Sequence, residues 1–188
     1  MSDATLYTTS NPTALSTIGD KPLITPIRAV LTATFWRPNN TTTYAANDIV
    51  SDSASQLIFN NAAIQNGGSG IIRQASLIDN AYVAALLGAF ELALFTAAVA
   101  IQTDNGLAAF TDAEMLTWVG NISFGNSFIT NTGTGAAGSV GFLAKNVDLE
   151  YVCASADTRL FGLLMARNAY VPVGQERFDL SLFVQRFS

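Results

Sequence analysis

The sequence predicts an antiparallel β sandwich. Two-residue alternation of apolar and polar side chains recurs along the chain, Gly-, Asn- and Asp-rich turns separate the alternating stretches, and helix signals are sparse. The composition agrees, with 49 % hydrophobic and only 12 % charged residues, about half the usual charged fraction. A surface so poor in charge costs little to desolvate when subunits assemble.

In chain order, the first 25 residues hold Ser, Thr, Asn and Asp with few large apolar side chains, which reads as an extended N-terminal arm over residues 1–25. The sandwich is expected over residues 26–188. After Pro26, Ile27, Ala29, Leu31, Ala33 and Phe35 alternate with Arg28, Val30, Thr32, Thr34 and Trp36, a long strand. "RPNNTTTYAANDIVSDS" is turn-rich around a short apolar "DIV", "SQLIF" suits another strand, and "NGGSG" turns the chain into the alternating "IIRQASLI". "VDLEYVC" sets Val147, Leu149, Tyr151 and Cys153 on one face, and "RLFGLLMA" is apolar on both. "RFDLSLFVQRF" sets Phe178, Leu180, Leu182 and Val184 opposite Asp179, Ser181, Phe183 and Gln185. Six to nine strands are expected, with at most one or two short helices. One helix is placed at residues 112–118, where Thr111 and Glu114 form a capping box.

"YVAALLGAFELALFTAAVAI", residues 82–101, is long enough to cross a bilayer and carries one charge, Glu91. No Lys or Arg flanks it to anchor a helix at a membrane surface. Val83, Leu86, Leu87, Phe90 and Leu94 fit a helical face, whereas Phe90, Leu92 and Leu94 alternate with Ala89, Glu91, Ala93 and Phe95 as in a strand. Periodicity leaves both open. Among so many strands, the simplest expectation is a loop or short helix to about Leu87, then a strand over residues 89–96.

At 188 residues, one domain can bury a core without disulfides or metals. Net charge is −5 and Lys and Arg nowhere cluster, which argues against nucleic acid as a partner. The N-terminus shows no basic segment followed by an apolar one, so synthesis and retention in a cytoplasm are expected. The single cysteine, Cys153, lies in an alternating stretch and is expected to be a buried structural thiol.

The chain has no histidine. That removes Ser/His/Asp and Cys/His relays, common zinc sites and the usual proton shuttle. Asp148 and Glu150 are the right types for a glycosidase pair, yet their spacing suits a solvated strand face better. "GTGAAG", residues 133–138, matches a dinucleotide-binding glycine pattern with Asp157 downstream, but strand-like sequence follows where a helix is required. "SDS" (residues 51–53) and "TDNG" (residues 103–106) offer oxygens to a cation without the spacing of a calcium loop. The glycosylation triplets at Asn39, Asn40 and Asn121 matter only on export. Trp36, Trp118 and the twelve Phe are expected in the core. No catalytic, cofactor-binding or metal site is therefore expected, and a binding or structural surface is expected instead.

"FWRPNNTTTYAANDIVSDS", "GGSGIIRQASLI", "FELALF", "DNGLAAFTDAEMLTWVGNISF" and "DTRLFGLLMARNAYVPVGQERFDLSLFV" occur in an order that resembles a group of tailed-bacteriophage virion structural proteins. The resemblance implies a jelly-roll sandwich and the role of a capsid decoration, or cement, protein. Such a protein binds the outer surface of the phage head and bridges neighbouring major capsid subunits. It implies a virion location, the major capsid protein and copies of the chain itself as partners, with a trimer favoured over a dimer, and neither nucleic acid nor membrane. The group has no catalytic residues to carry over. A tail, fibre or baseplate component that recognises a host surface is the alternative, since jelly rolls serve both roles. A carbohydrate-active enzyme built on Asp148 and Glu150 is a third.

Overall fold

In the computed structural model, which describes residues 16–18, 21–23, 26–82, 89–125, 128–131 and 138–187, the alternating stretches become strands. They are β1 (Ser16–Ile18), β2 (Lys21–Leu23), β3 (Ile27–Trp36), β4 (Ile49–Val50), β5 (Leu57–Phe59), β6 (Ser69–Tyr82), β7 (Phe90–Phe95), β8 (Trp118–Phe124), β9 (Phe128–Asn131), β10 (Gly138–Val152), β11 (Leu160–Ala166) and β12 (Arg177–Phe187). One sheet has the order β3-β12-β6-β10-β9, and a second β4-β11-β7-β8, with β5 pairing β11 beside β4. All these pairings are antiparallel.

The pairing is nested. β3 pairs with β12, β4 with β11, β6 with β10 and β7 with β8. A chain that pairs its first strand with its last, and so inward, is a long hairpin rolled into two facing sheets, which is the jelly roll. The fold expected from the sequence is therefore present.

Between the sheets lies an aromatic core. Phe178 stacks on Phe35 at 5.3 Å, and Phe90 meets Phe142, Tyr170 and Phe178 edge-on at 5.6, 5.3 and 5.5 Å. Each such ring contributes roughly 1.5–3 kcal/mol by leaving water, plus the gain of edge-to-face geometry. The period-two patterns of β3 and β12 have their cause here: Leu31, Phe35, Phe178, Leu180, Leu182 and Val184 point inward.

β7 and β11 are buried on both faces. Their inward residues, Phe90, Leu92, Leu94, Leu160 and Leu164, join the main core. Ala93, Phe95, Phe161, Leu163 and Met165 point outward into a second cluster with Ile49 and Val99, with Ala108 and Phe110 packed against it. The connection between β7 and β8 thus roofs the outer face of the second sheet. It contains α1 (Asp112–Met115), where Thr111 and Glu114 make the expected capping box.

Several expectations need correction. Among the described residues twelve strands appear, not six to nine: "SQLIF" gives the expected strand as β5, but the turn-rich stretch adds the short β4 and the N-terminal region a separate two-stranded sheet, β1-β2. The helix stops at Met115 with Leu116 as its C-cap, and Trp118 opens β8. Trp36 and Trp118 are not core residues: they stand 58 % and 46 % exposed, since each occupies the outward phase of its strand. Residues 82–101 do not form one span; Phe90–Phe95 is a strand, while the loop or short helix expected before it falls on residues 83–88, outside the described residues. Among the described residues no helix is long and apolar enough to cross a membrane. Of the arm expected over residues 1–25, only β1 and β2 are described.

Candidate functional site

Arg37 follows β3 directly, and its backbone N–H donates to the Glu176 carbonyl at 2.8 Å. That bond turns the side chain inward, where it is 2 % exposed. Its Nη2 lies 3.2 Å from Asp104 Oδ2 and its Nη1 3.4 Å from Glu176 Oε2, with both carboxylate side chains 3 % exposed. Arg37 Nε donates to the Tyr44 hydroxyl, which donates in turn to Asp104. The guanidinium carbon stands 4.7 Å from the Tyr44 ring centroid, and Tyr44 stacks on Tyr170 at 4.7 Å and 3°.

The two oxygen-rich stretches meet at this cluster. Ser51 N donates to Asp104 Oδ1 at 3.1 Å, Asp104 N donates to Ser53 Oγ at 2.9 Å, and Ser51 Oγ donates to the Gln102 carbonyl at 3.0 Å. "SDS" and "TDNG" therefore serve a cation after all, and that cation is Arg37. Among the described residues no group of three or more Cys, Asp or Glu is arranged to hold a metal ion.

Burial raises the Glu176 carboxyl well above its ordinary range, and neighbouring Asp79 pushes it the same way by repulsion and a hydrogen bond, against the opposing pull of Arg37. Asp79 is itself 7 % exposed, so one proton shared between the two acids lowers the cost of burying both. A charged core so closed to solvent pins the stretch after β3, the residues 103–106 turn and the approach to β12 together.

The sequence candidates for chemistry stay apart. Asp148 sits at an irregularity of the β10–β6 ladder with φ 46°. It pairs with Arg73 at 2.6 Å on the exposed surface, and Glu150 is exposed beyond it, as a solvated strand face requires. Residues 133–137 of "GTGAAG" lie outside the described residues, and Gly138 opens strand β10 rather than a helix. Asp157 accepts from the backbone N–H groups of Thr158 and Arg159 at 2.7 and 3.0 Å. Its hydrogen bonds from the Arg159 guanidinium, the largest cause, hold its carboxyl down to about 2. It fixes a turn. Cys153 is buried, and burial, with Asp157 adding to it, pushes the thiol up to about 11. Asn40 Oδ1 accepts from Thr42 N at 3.2 Å, and Asn39 lies beside Gly174. Asn121 accepts from Trp118 Nε1 at 2.9 Å and donates to Glu91.

Sequence reasoning missed the grouping of Arg37, Tyr44, Asp104 and Glu176. The available signal was an arginine at a strand end in a chain with nine basic residues.

One exposed surface stands out instead. On the roof of the second sheet, Leu107 is 70 % exposed, Met115 44 %, Leu116 90 % and Trp118 46 %. A groove of about 330 Å³ runs among Leu107, Phe110, Met115 and Trp118 over Phe95 and Met165. Arg167, paired with Glu91, also lines it. The capping box, Ala100 N donating to Glu114 Oε1 at 2.5 Å, and Val99 N donating to Gln56 Oε1 at 3.0 Å hold the roof in shape. The patch is thus built on a fixed scaffold.

No protein-family model matches the chain, and no curated protein matches it. Among solved structures, a chain from desmodium yellow mottle tymovirus aligns over 96 % of this chain and 96 % of its own length, with 13 % identity and a TM-score of 0.35.

Proposed function

We propose that the chain is a virion structural protein, a decoration or cement protein on the outer surface of a tailed-phage head that bridges neighbouring major capsid subunits. The observation that carries this reading is the rigid apolar roof of Leu107, Met115, Leu116 and Trp118 on a charge-poor jelly roll. Such a face loses little on desolvation and gains by being covered.

The mechanism is mechanical and involves no catalysis. The roof seats on a capsid subunit and the arm, residues 1–25, reaches a neighbouring one. Each contact is individually weak, but joining them in one molecule, and several molecules in one oligomer, makes later contacts intramolecular and multiplies the attachment. The shell is thereby held against internal pressure. The protein is made in the host cytoplasm and ends on the virion.

Purified heads lacking the protein provide the test. Wild-type protein should sediment with them. Leu107→Ser/Leu116→Ser should remain folded and stay in the supernatant, and deletion of residues 1–24 should weaken attachment while leaving the sandwich folded. Attachment unaffected by both changes overturns the reading. Localisation of the protein to the tail alone would favour the host-recognition alternative.

A further inference from the structure

β3 is an edge strand whose outer side has no hydrogen-bonded neighbour among the described residues, although β5 of the facing sheet comes close to it beside Ala33 to Phe35. β3 runs ten residues, has no proline, lysine or bulge, and keeps an unbroken register with β12 from Ile27 to Trp36. Among the described residues no strand pairs with its other side. Long, flat edges of this kind are templates for a further strand, and soluble proteins ordinarily shorten, charge or cover them. Beside the edge, a cavity of about 270 Å³ opens between Ala33 and Phe35 of β3 and Val50, Leu57 and Ile58 of the facing sheet. The outward face carries Val30 and Trp36, 55 % and 58 % exposed. Arg28 has no hydrogen-bond or ion-pair partner among the described residues.

We infer that the β3 edge pairs antiparallel with the β3 edge of a second copy about a two-fold axis at Thr32, joining two sheets into one. The strand's own sequence selects both partner and register. Residues facing each other across an antiparallel pair must lie on the same face, which the axis at Thr32 satisfies: Arg28 falls opposite Trp36, Val30 opposite Thr34 and Thr32 opposite itself. Inward, Ala29 falls opposite Phe35 and Leu31 opposite Ala33, beside the mouth of the cavity. No like charges meet, and each unpartnered guanidinium reaches an exposed indole, the favoured ring for a cation. Arg177 already stands 5.7 Å from that ring, but its charge is answered by Asp179 at 2.7 Å. Centring the axis on Leu31 instead sets Arg28 against Thr34 and Trp36 against Pro26, losing both cation–ring contacts. The two-fold edge replaces the trimer favoured by the sequence reading, and it stands independently of the proposed function.

Thr32→Cys provides the test on the full chain. Cα atoms facing each other across antiparallel strands lie roughly 4.5–5.5 Å apart, within disulfide reach. Mild oxidation should therefore convert Thr32→Cys to a covalent dimer while Val30→Cys stays uncrosslinked, and native Cys153 is buried. Wild type should sediment as a dimer. Thr32→Lys, which brings two ammonium groups together at the axis, should weaken association on the order of tenfold to a hundredfold, while Val152→Lys, exposed on β10 and separated from β3 by β12 and β6, leaves it unchanged. A wild-type monomer, an oligomer indifferent to Thr32→Lys, or equal crosslinking at 30 and 32 overturns the inference. So does edge occupancy by the N-terminal segment, revealed if deleting residues 1–24 is needed before crosslinking occurs.

Discussion

Arg37 and Asp104, 67 residues apart in the chain, form a 3.2 Å ion pair in which the side chains are 0 % and 3 % exposed. A pair so buried costs several kcal/mol per ion to desolvate, offset here by Tyr44, Ser51 and Glu176. Its weight shows when one member is lost. Arg37→Ala strands Asp104 without its counter-ion and should lower unfolding free energy by about 3–5 kcal/mol, read by chemical denaturation. A loss below about 1 kcal/mol would show that the cluster is dispensable.

The acid pair beside it predicts a pH dependence. The folded Glu176 carboxyl is raised above its ordinary 4.5 to about 9, by burial first and Asp79 next. A raised folded value means the folded state holds a proton that the unfolded chain releases, so this contribution is complete below 4.5 and is lost as pH rises toward 9. Stability should therefore fall across that interval by an amount on the order of a few kcal/mol, and Glu176→Gln, which imitates the protonated acid, should flatten the slope. An equally steep decline in the variant would remove Glu176 as the cause.

Gly70 is fixed by close approach. A Cβ there would lie 2.4 Å from the Tyr151 hydroxyl and 2.7 Å from the Gln185 carbonyl, and that hydroxyl donates to the Ala62 carbonyl at 2.6 Å in the interior. Gly70→Ala should cost about 2–3 kcal/mol by breaking the bond and displacing β12, measured as a drop in midpoint. Tyr151→Phe should cost about 1 kcal/mol, since only the bond is removed. Equal losses would assign the whole effect to the hydrogen bond.

Leu107→Ser/Leu116→Ser should change stability by less than about 0.5 kcal/mol, because both side chains already face water. A large drop in melting temperature would show instead that the roof needs these residues for its own packing.

Strands are legible in the sequence where their periodicity has a single cause. In β3 and β12 one face is buried and the other wet, so alternation has no rival explanation. β11 reads as apolar on both faces, but the reason, a second cluster beneath residues 96–117, depends on a roof that no local pattern announces. Trp118 misleads for the same reason: hydrophobic bulk suggests the core, whereas strand phase turns it outward. The oxygens of Ser51, Ser53 and Asp104 are recognisable as cation-holding types. Their cation is not, because Arg37 meets Asp104 and Glu176 across 67 and 139 residues. The absence of histidine points the sequence reading toward a surface role, whereas the exposed apolar roof of Leu107, Met115, Leu116 and Trp118 on which the proposal rests is visible only in side-chain exposure.

Imaging of the purified virus particle is the decisive measurement. This jelly roll should stand on the outside of the head, in proportion to the capsid subunits, with the Leu116 and Trp118 roof turned toward the shell. Density confined to the tail, or a roof facing solvent with the capsid gripped elsewhere, would refute a cement role.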